Sequence, residues 1–228
     1  MIKFERTSVM NMENAIRGAR NPMNSWHRMD SHMCLLNMCD KCQYSDDIAK
    51  CDSIGSGNLV IGPNDMQLLQ TLRRAGSDHR KYLRQIFVSV DITAPFYWWK
   101  EADTYRFGKE QNSCSTMHKI HSREININDF SIDQEMLSYF VDTIIECERL
   151  RTLYVDTKEK KYWRALIQLL PMSYNQMRTV TFSYETLVNI YHARKNHKLE
   201  EWHTLCDWIK TLPYANELII CEENDHEN

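Results

Sequence analysis

Residues 104–118, TYRFGKEQNSCSTMH, crowd a tyrosine, an arginine, a glutamate, two amides, a thiol, a histidine and several hydroxyls into one short stretch. Such a set suits a polar ligand. A carboxamide such as Asn112 reads a ring edge with a paired donor and acceptor. Ser113, Ser115 and Thr116, with backbone N–H groups nearby, can complete a phosphate or ribose site. Arginine grips phosphate through two charge-assisted bonds, which makes Arg106, Arg164, Arg178 and Arg194 candidates. A wet connection between two elements is the competing account. Cys114 has only His118 or His121 as an activating base, so a packed or exposed thiol is the simpler reading.

A second group of chemistry-bearing residues lies earlier. Cys34, Cys39, Cys42 and Cys51 fall close together, with His27 and His32 upstream. The two-residue gap in CDKC lets both thiolates face one tetrahedral ion. No second C-x-x-C is present, so unpaired thiols are preferred and zinc is kept as the minority alternative. Cys147 and Cys206 sit in helical patterns, where a free cysteine is usually a small core residue.

Particular elements must position these groups. GPNDMQLLQTLRRAG (62–76) reads as a helix with Pro63 in its first turn and Gly76 as its stop. In RQIFVSVDI (84–92), Ile86, Val88, Val90 and Ile92 alternate as on a strand. Thr93 is expected to cap the next helix, APFYWWKEADTYR, with Pro95 at an early position. Phe96, Tyr97, Trp98, Trp99 and Tyr105 make that helix aromatic on several faces, which implies deep burial or sharing with a partner subunit. Ser131 and Gln134 form an expected capping box ahead of one long helix over 136–155. KKYWRALIQLLP reads as a shorter helix, RTVTFSY as a strand, and YETLVNIYHARKN and LEEWHTLCDWIKTLP as two more helices.

The order implies a helix-rich α+β single domain with a mixed or antiparallel sheet. Residues 1–62 are expected to be its irregular N-terminal segment with a Cys-rich loop, and 63–228 its body. A net charge of −3 and a pI near 6.3 give no global field for nucleic acid or an anionic membrane. No apolar run approaches a membrane span, and the first twenty residues lack the apolar core of a signal peptide. The expectation is a cytoplasmic protein with reduced thiols that engages neither membrane nor nucleic acid. None of the six glycines forms a dinucleotide fingerprint or phosphate loop.

Two pieces together, FVSVDI leading through an aromatic helix to YRFGKEQNSCSTMH, and LLPMSYNQMRTVTFSYETLVNIYHAR, resemble the flavin-dependent thymidylate synthases. That family carries a strand, a helix and the signature R-H-R-x-x-S-x-N-E-x-S-x-R-Y. Later come a Leu-Pro, a strand and a helix bearing N-x-R-x-L-x-N-x-x-x-x-R. The likeness spans roughly residues 63–212. Asn112 and Ser115 fall on the signature's asparagine and second serine, and Arg106 on its histidine. Tyr105 and Phe107 replace the flanking arginines, Ser113 the glutamate, Met117 the last arginine and His118 the tyrosine. Leu187, Asn189 and Arg194 match the later motif, while Ser183 and Glu185 replace its asparagine and first arginine.

The resemblance implies FAD bound by Arg106, Asn112 and Asn189, and a uridine nucleotide bound by Ser113, Ser115 and Arg194. It also implies a homo-oligomer, a tetramer, with sites shared between subunits. Two readings follow. One is an enzyme carrying out reductive C5 methylation of dUMP, with NADPH and a folate methyl donor and no assigned catalytic residue. The alternative is a non-catalytic nucleotide- or protein-binding member of the fold. Losing several charge-assisted contacts at about 1.5–3 kcal/mol each would weaken ligand binding by orders of magnitude unless something compensates.

Overall fold

The computed structural model describes residues 2–34 and 59–221. Among the cysteines of the zinc alternative, Cys34 is a half-buried free thiol, and Cys39, Cys42 and Cys51 lie outside the described residues. Among the described residues no group of histidines, cysteines and carboxylates is arranged to hold a metal ion. No described helix is long and apolar enough to cross a membrane.

The chain has the expected α+β character. Its elements are β1 (Lys3–Met10), α1 (Met12–Ala19), β2 (His32–Met33), β3 (Leu59–Val60), α2 (Pro63–Arg74), β4 (Phe87–Pro95), α3 (Phe96–Ala102) and β5 (Lys109–Ser113). They continue with α4 (Thr116–Lys119), α5 (Val141–Thr157), α6 (Lys160–Leu169), β6 (Asn175–Ser183), α7 (Tyr184–Arg194) and α8 (Glu200–Lys210). A four-stranded sheet runs β1-β4-β6-β5, and β2 pairs antiparallel with β3. At the two ends of the β4/β6 pair, Tyr184 N–H donates to Ile86 C=O and Phe96 N–H to Tyr174 C=O, which fixes that pair as antiparallel. Ser183 N–H to Gly108 C=O and Cys114 N–H to Met177 C=O do the same for β5/β6. In β4 the alternation holds: Val88, Val90 and Ile92 are buried. β5 is an edge strand with four of its five residues exposed, and its Lys109 and Glu110 suit an unpaired edge.

By packing, the chain divides into two compact units. Unit 1 comprises Met1–Glu5, Asp91–Arg106 and Gln111–Val180; unit 2 comprises Arg6–Val90, Phe107–Glu110 and Thr181–Asn228.

In unit 1, α5 and α6 form a hairpin turned by Lys158, which takes the left-handed conformation. Ile144, Cys147, Leu150 and Leu166 from that hairpin pack with Ile120, Ile125 and Phe130 into one core. The aromatic helix is deeply buried, as its composition requires: Trp98 and Trp99 are each 1% exposed and meet edge-to-face at 4.8 Å.

Two expected helix starts fail here. Thr93 does not cap α3, because β4 runs on to Pro95 and the helix begins after it. Ser131 does not open a long helix from residue 136. Its hydroxyl donates to Asn175 Oδ1 instead, residues Gln134–Tyr139 form a 3-10 turn, and the α-helix starts at Val141. A capping box does occur in this region, between Asn126 and Asp129.

In unit 2, α7 is buried on most of its circumference, leaving Asn189, His192 and Ala193 exposed. Its N-terminus is capped by the Ser183 hydroxyl, which accepts from Thr186 N–H. α2 is capped from afar: the Asp30 carboxylate accepts from Asn64 and Asp65 N–H. Asp65 is fully buried, paired with Arg20 and accepting from the Ser31 hydroxyl and from the Asp30 and Ser31 N–H groups. Burial works against its charge, but these donors hold its pKa below the ordinary carboxylate value. Gly62 sits so close to Asp30 that a Cβ would lie 2.6 Å from the Asp30 carbonyl oxygen. The N-terminal stretch is more regular than its sequence suggests, since β1 and α1 precede the turn at Asn21–Met23.

Candidate functional site

The stretch 104–118 is a short strand between two anchors. Tyr105 is half-buried after α3, and Arg106 and Phe107 are exposed. Gly108 then turns the chain with φ +64°, a conformation L side chains rarely adopt. There, in unit 2, it lies against the start of α7. Its carbonyl accepts from Ser183 N–H at 2.8 Å, and the Thr186 hydroxyl donates to the Phe107 carbonyl at 2.8 Å. A Cβ on Gly108 would sit 2.5 Å from Thr186 Oγ1. The two motifs read separately in the sequence thus meet at this point.

Beyond β5, in unit 1, Ser115 caps α4 by accepting from His118 N–H. Ser115, Thr116, Lys119, Asn128, Asn175 and Gln176 line a cavity of about 680 Å³. Ser113, Ser115, Thr116, Gln176 and Arg178 also face a neighbouring cavity of about 530 Å³. A polar relay sets this wall. Arg178 Nη1 donates to both Asp103 carboxylate oxygens at 2.9 and 3.1 Å, and Arg178 Nε donates to Gln176 Oε1 at 2.9 Å. Gln176 Nε2 donates in turn to the Cys114 carbonyl at 2.9 Å. The Arg178 guanidinium stacks on Trp99 at 4.1 Å, and the Trp99 indole N–H donates to the Gln176 carbonyl. Arg178 is therefore neutralised by Asp103 and positions the segment after β5. The Trp98 and Trp99 rings belong to the core of unit 1.

In unit 2 the later motif carries a charge exchange. Glu185 stands where the resemblance places an arginine. Arg80, from the segment between α2 and β4, donates its Nε to the Glu185 carboxylate at 3.1 Å. Its Nη2 donates to Asn189 Oδ1 at 3.4 Å. Arg80 and Asn189 line a cavity of about 720 Å³. Its donors suit a ligand rich in carbonyl and phosphate oxygens. Arg194 goes elsewhere: its guanidinium stacks on Trp202 at 4.5 Å, where it packs within unit 2 and does not line this cavity.

Of the residues singled out in the sequence, Ser113 and Ser115 are brought to one cavity in unit 1, and Asn189 lines another in unit 2. Asn112 and Arg106 are exposed in unit 1. Arg80, Asp103 and Gln176 carry positioning roles that the sequence reading missed. Gln176 and Arg178 stand two apart on β6, so strand periodicity places them on one face. Arg80 lies in a segment without periodicity, and nothing in the sequence links it to Glu185.

No protein-family model and no curated protein sequence matches the chain. Solved structures do. Thymidylate synthase X from Helicobacter pylori, solved with FAD and dUMP, superposes with a TM-score of 0.66 at 14% identity, covering 96% of both chains. A UMP/dUMP methylase, PolB from Streptomyces cacaoi, solved with 5-bromo-UMP, superposes with a TM-score of 0.58 at 12% identity, covering 96% of this chain and 93% of the other. The resemblance noticed in two short motifs extends over nearly the whole chain, and the protein has the fold of the flavin-dependent thymidylate synthases.

Proposed function

We propose that the chain is a divergent flavin-dependent thymidylate synthase-like protein that binds FAD and a uridine nucleotide. The observation that carries this reading is Arg80 on Glu185 and Asn189. A guanidinium absent from position 185 is supplied to the same helix face by another segment. Arg80 is itself paired with Glu185, so it supports retained ligand binding through its reach to Asn189 and the cavity beside it. The amides and hydroxyls at Asn175, Gln176, Ser115 and Thr116, with Lys3, Lys119 and the Asp129-paired Arg123 as cations, suit a uridine ring edge, a ribose and a phosphate. Asn112, Arg106, Ser113, Ser115, Asn189 and Arg194 keep the roles the resemblance gives them as part of this proposal. The reading includes a cytoplasmic homo-oligomer, a tetramer, which would cover large apolar groups such as Phe107 at 92% exposure. In the catalytic form, NADPH supplies reducing equivalents and a folate supplies the carbon.

A second reading, a non-catalytic nucleotide binder, is favoured by one observation. Phe107, Ser113 and Met117 are exposed and uncharged where the family's charged ligands stand. The two separate in one assay. Tritium at C5 of dUMP is released to water by the enzyme in the presence of FAD, NADPH and a methylene-folate. A binder gains thermal stability with dUMP but releases none.

A further inference from the structure

The unit 2 cavity holds more positive charge than the retained motif accounts for. Arg73, in the last turn of α2, is only 8% exposed yet lines the cavity. Its Nε donates to the Leu218 carbonyl and its Nη2 to the Ile219 carbonyl, both at 3.2 Å. Nη2 also lies 3.3 Å from His192 Nε2. These partners fix the guanidinium in place, and none of them carries negative charge. Arg80 lines the same cavity with Glu185 as its counter-ion, and Lys195 adds an ammonium on the rim. Among the described residues, two guanidiniums and an ammonium therefore face one carboxylate. Burial, and then the nearby Arg80 charge, pull the Arg73 pKa below its usual value, which is the cost of holding like charges together in a poorly solvated place.

We infer that this cavity is a phosphate-binding site, with Arg73, Arg80 and Lys195 as its cations and Asn189 as a neutral partner. A phosphate dianion offers several oxygens to donors arriving from three segments, and its charge offsets the excess that the described residues leave here. Arg73 is pre-oriented by backbone carbonyls, so little side-chain entropy is lost on binding. Glu185 keeps part of Arg80 occupied and directs the anion toward Arg73 and Lys195. The inference shares Arg80 and Asn189 with the flavin and uridylate reading and goes beyond it by adding Arg73 and Lys195, which lie outside the family's motifs; it stands whether or not the chain methylates anything.

The test is calorimetric titration of the full chain with inorganic phosphate, dUMP and FAD in separate arms at matched ionic strength. Arg80→Gln is expected to weaken phosphate binding roughly tenfold or more, the loss of a charge-assisted contact. Lys195→Gln, an exposed change that leaves folding intact, weakens it by a smaller factor, and Lys161→Gln on α6 does not change it. The same losses with dUMP identify a mononucleotide as the natural source of the phosphate, and with FAD a dinucleotide. Losses confined to inorganic phosphate identify another phosphate ester. No phosphate binding by the wild type, or equal affinity in the wild type, Arg80→Gln and Lys195→Gln, overturns the inference.

Discussion

Arg80 and Glu185 are 105 positions apart in sequence, yet they form an ion pair that is mostly buried. The pair joins an irregular segment to the first turn of α7 and places Arg80 against Asn189. Removing either partner strands a charge in a poorly solvated site. Arg80→Gln and Glu185→Gln are each expected to cost about 3 kcal/mol in urea denaturation. The double variant should cost clearly less than their sum, and strict additivity would show that the pair is not coupled.

Asp65 makes acid stability a second test. Its folded pKa lies below the unfolded one, so its contribution is fully present above the unfolded value of about 3.9. That contribution disappears as pH falls through the folded value. The melting temperature should therefore fall steeply below about pH 4. Asp65→Asn leaves Arg20 buried without a counter-charge, and is expected to cost about 3–5 kcal/mol at neutral pH. Arg20→Met with Asp65→Leu should recover only part of that loss, because the Asp30 and Ser31 N–H groups and the Ser31 hydroxyl lose their acceptor.

Gly108 is the hinge between the two motifs. Gly108→Ala must hold a side chain at φ +64° and push aside the Thr186 hydroxyl and the Ser183 hydroxyl that caps α7. A loss of about 2 kcal/mol or more is expected from the backbone strain and the disrupted cap together. Gly76 is also left-handed at φ +101°, but a Cβ there meets nothing within 4 Å. Gly76→Ala should therefore be the milder change in a side-by-side denaturation series.

The thiols divide by burial. Cys147 and Cys206 are buried, and desolvation pushes both up to about 11. Cys114 is exposed. Iodoacetamide at pH 8 followed by peptide mapping should label Cys114 in the native protein within minutes, while Cys147 and Cys206 react only after denaturation.

The elements that bury a clear face were legible from sequence. The alternation of Val88, Val90 and Ile92 gave β4, and the apolar residues around Leu166 and Leu187 gave α6 and α7. β1 and β5 were not legible, because most of their residues are exposed and an edge strand made of Lys, Glu, Gln, Asn and Ser has no alternation to read. The Ser131 and Gln134 pattern misled for a different reason: the serine found a partner on β6, and tertiary context outbid the local cap. For the site, Ser113, Ser115 and Asn189 were visible through their motifs. Arg80 and Gln176 were not, since their roles come from pairings that only the fold creates.

Flavin binding by this chain is the central claim, and one titration tests it. Purified protein saturated with FAD and freed of excess cofactor should retain a flavin absorption band near that of oxidised FAD, and Arg80→Gln should lower the retained fraction. Colourless protein after saturation with FAD, from a wild-type chain that is folded by circular dichroism, would contradict the account.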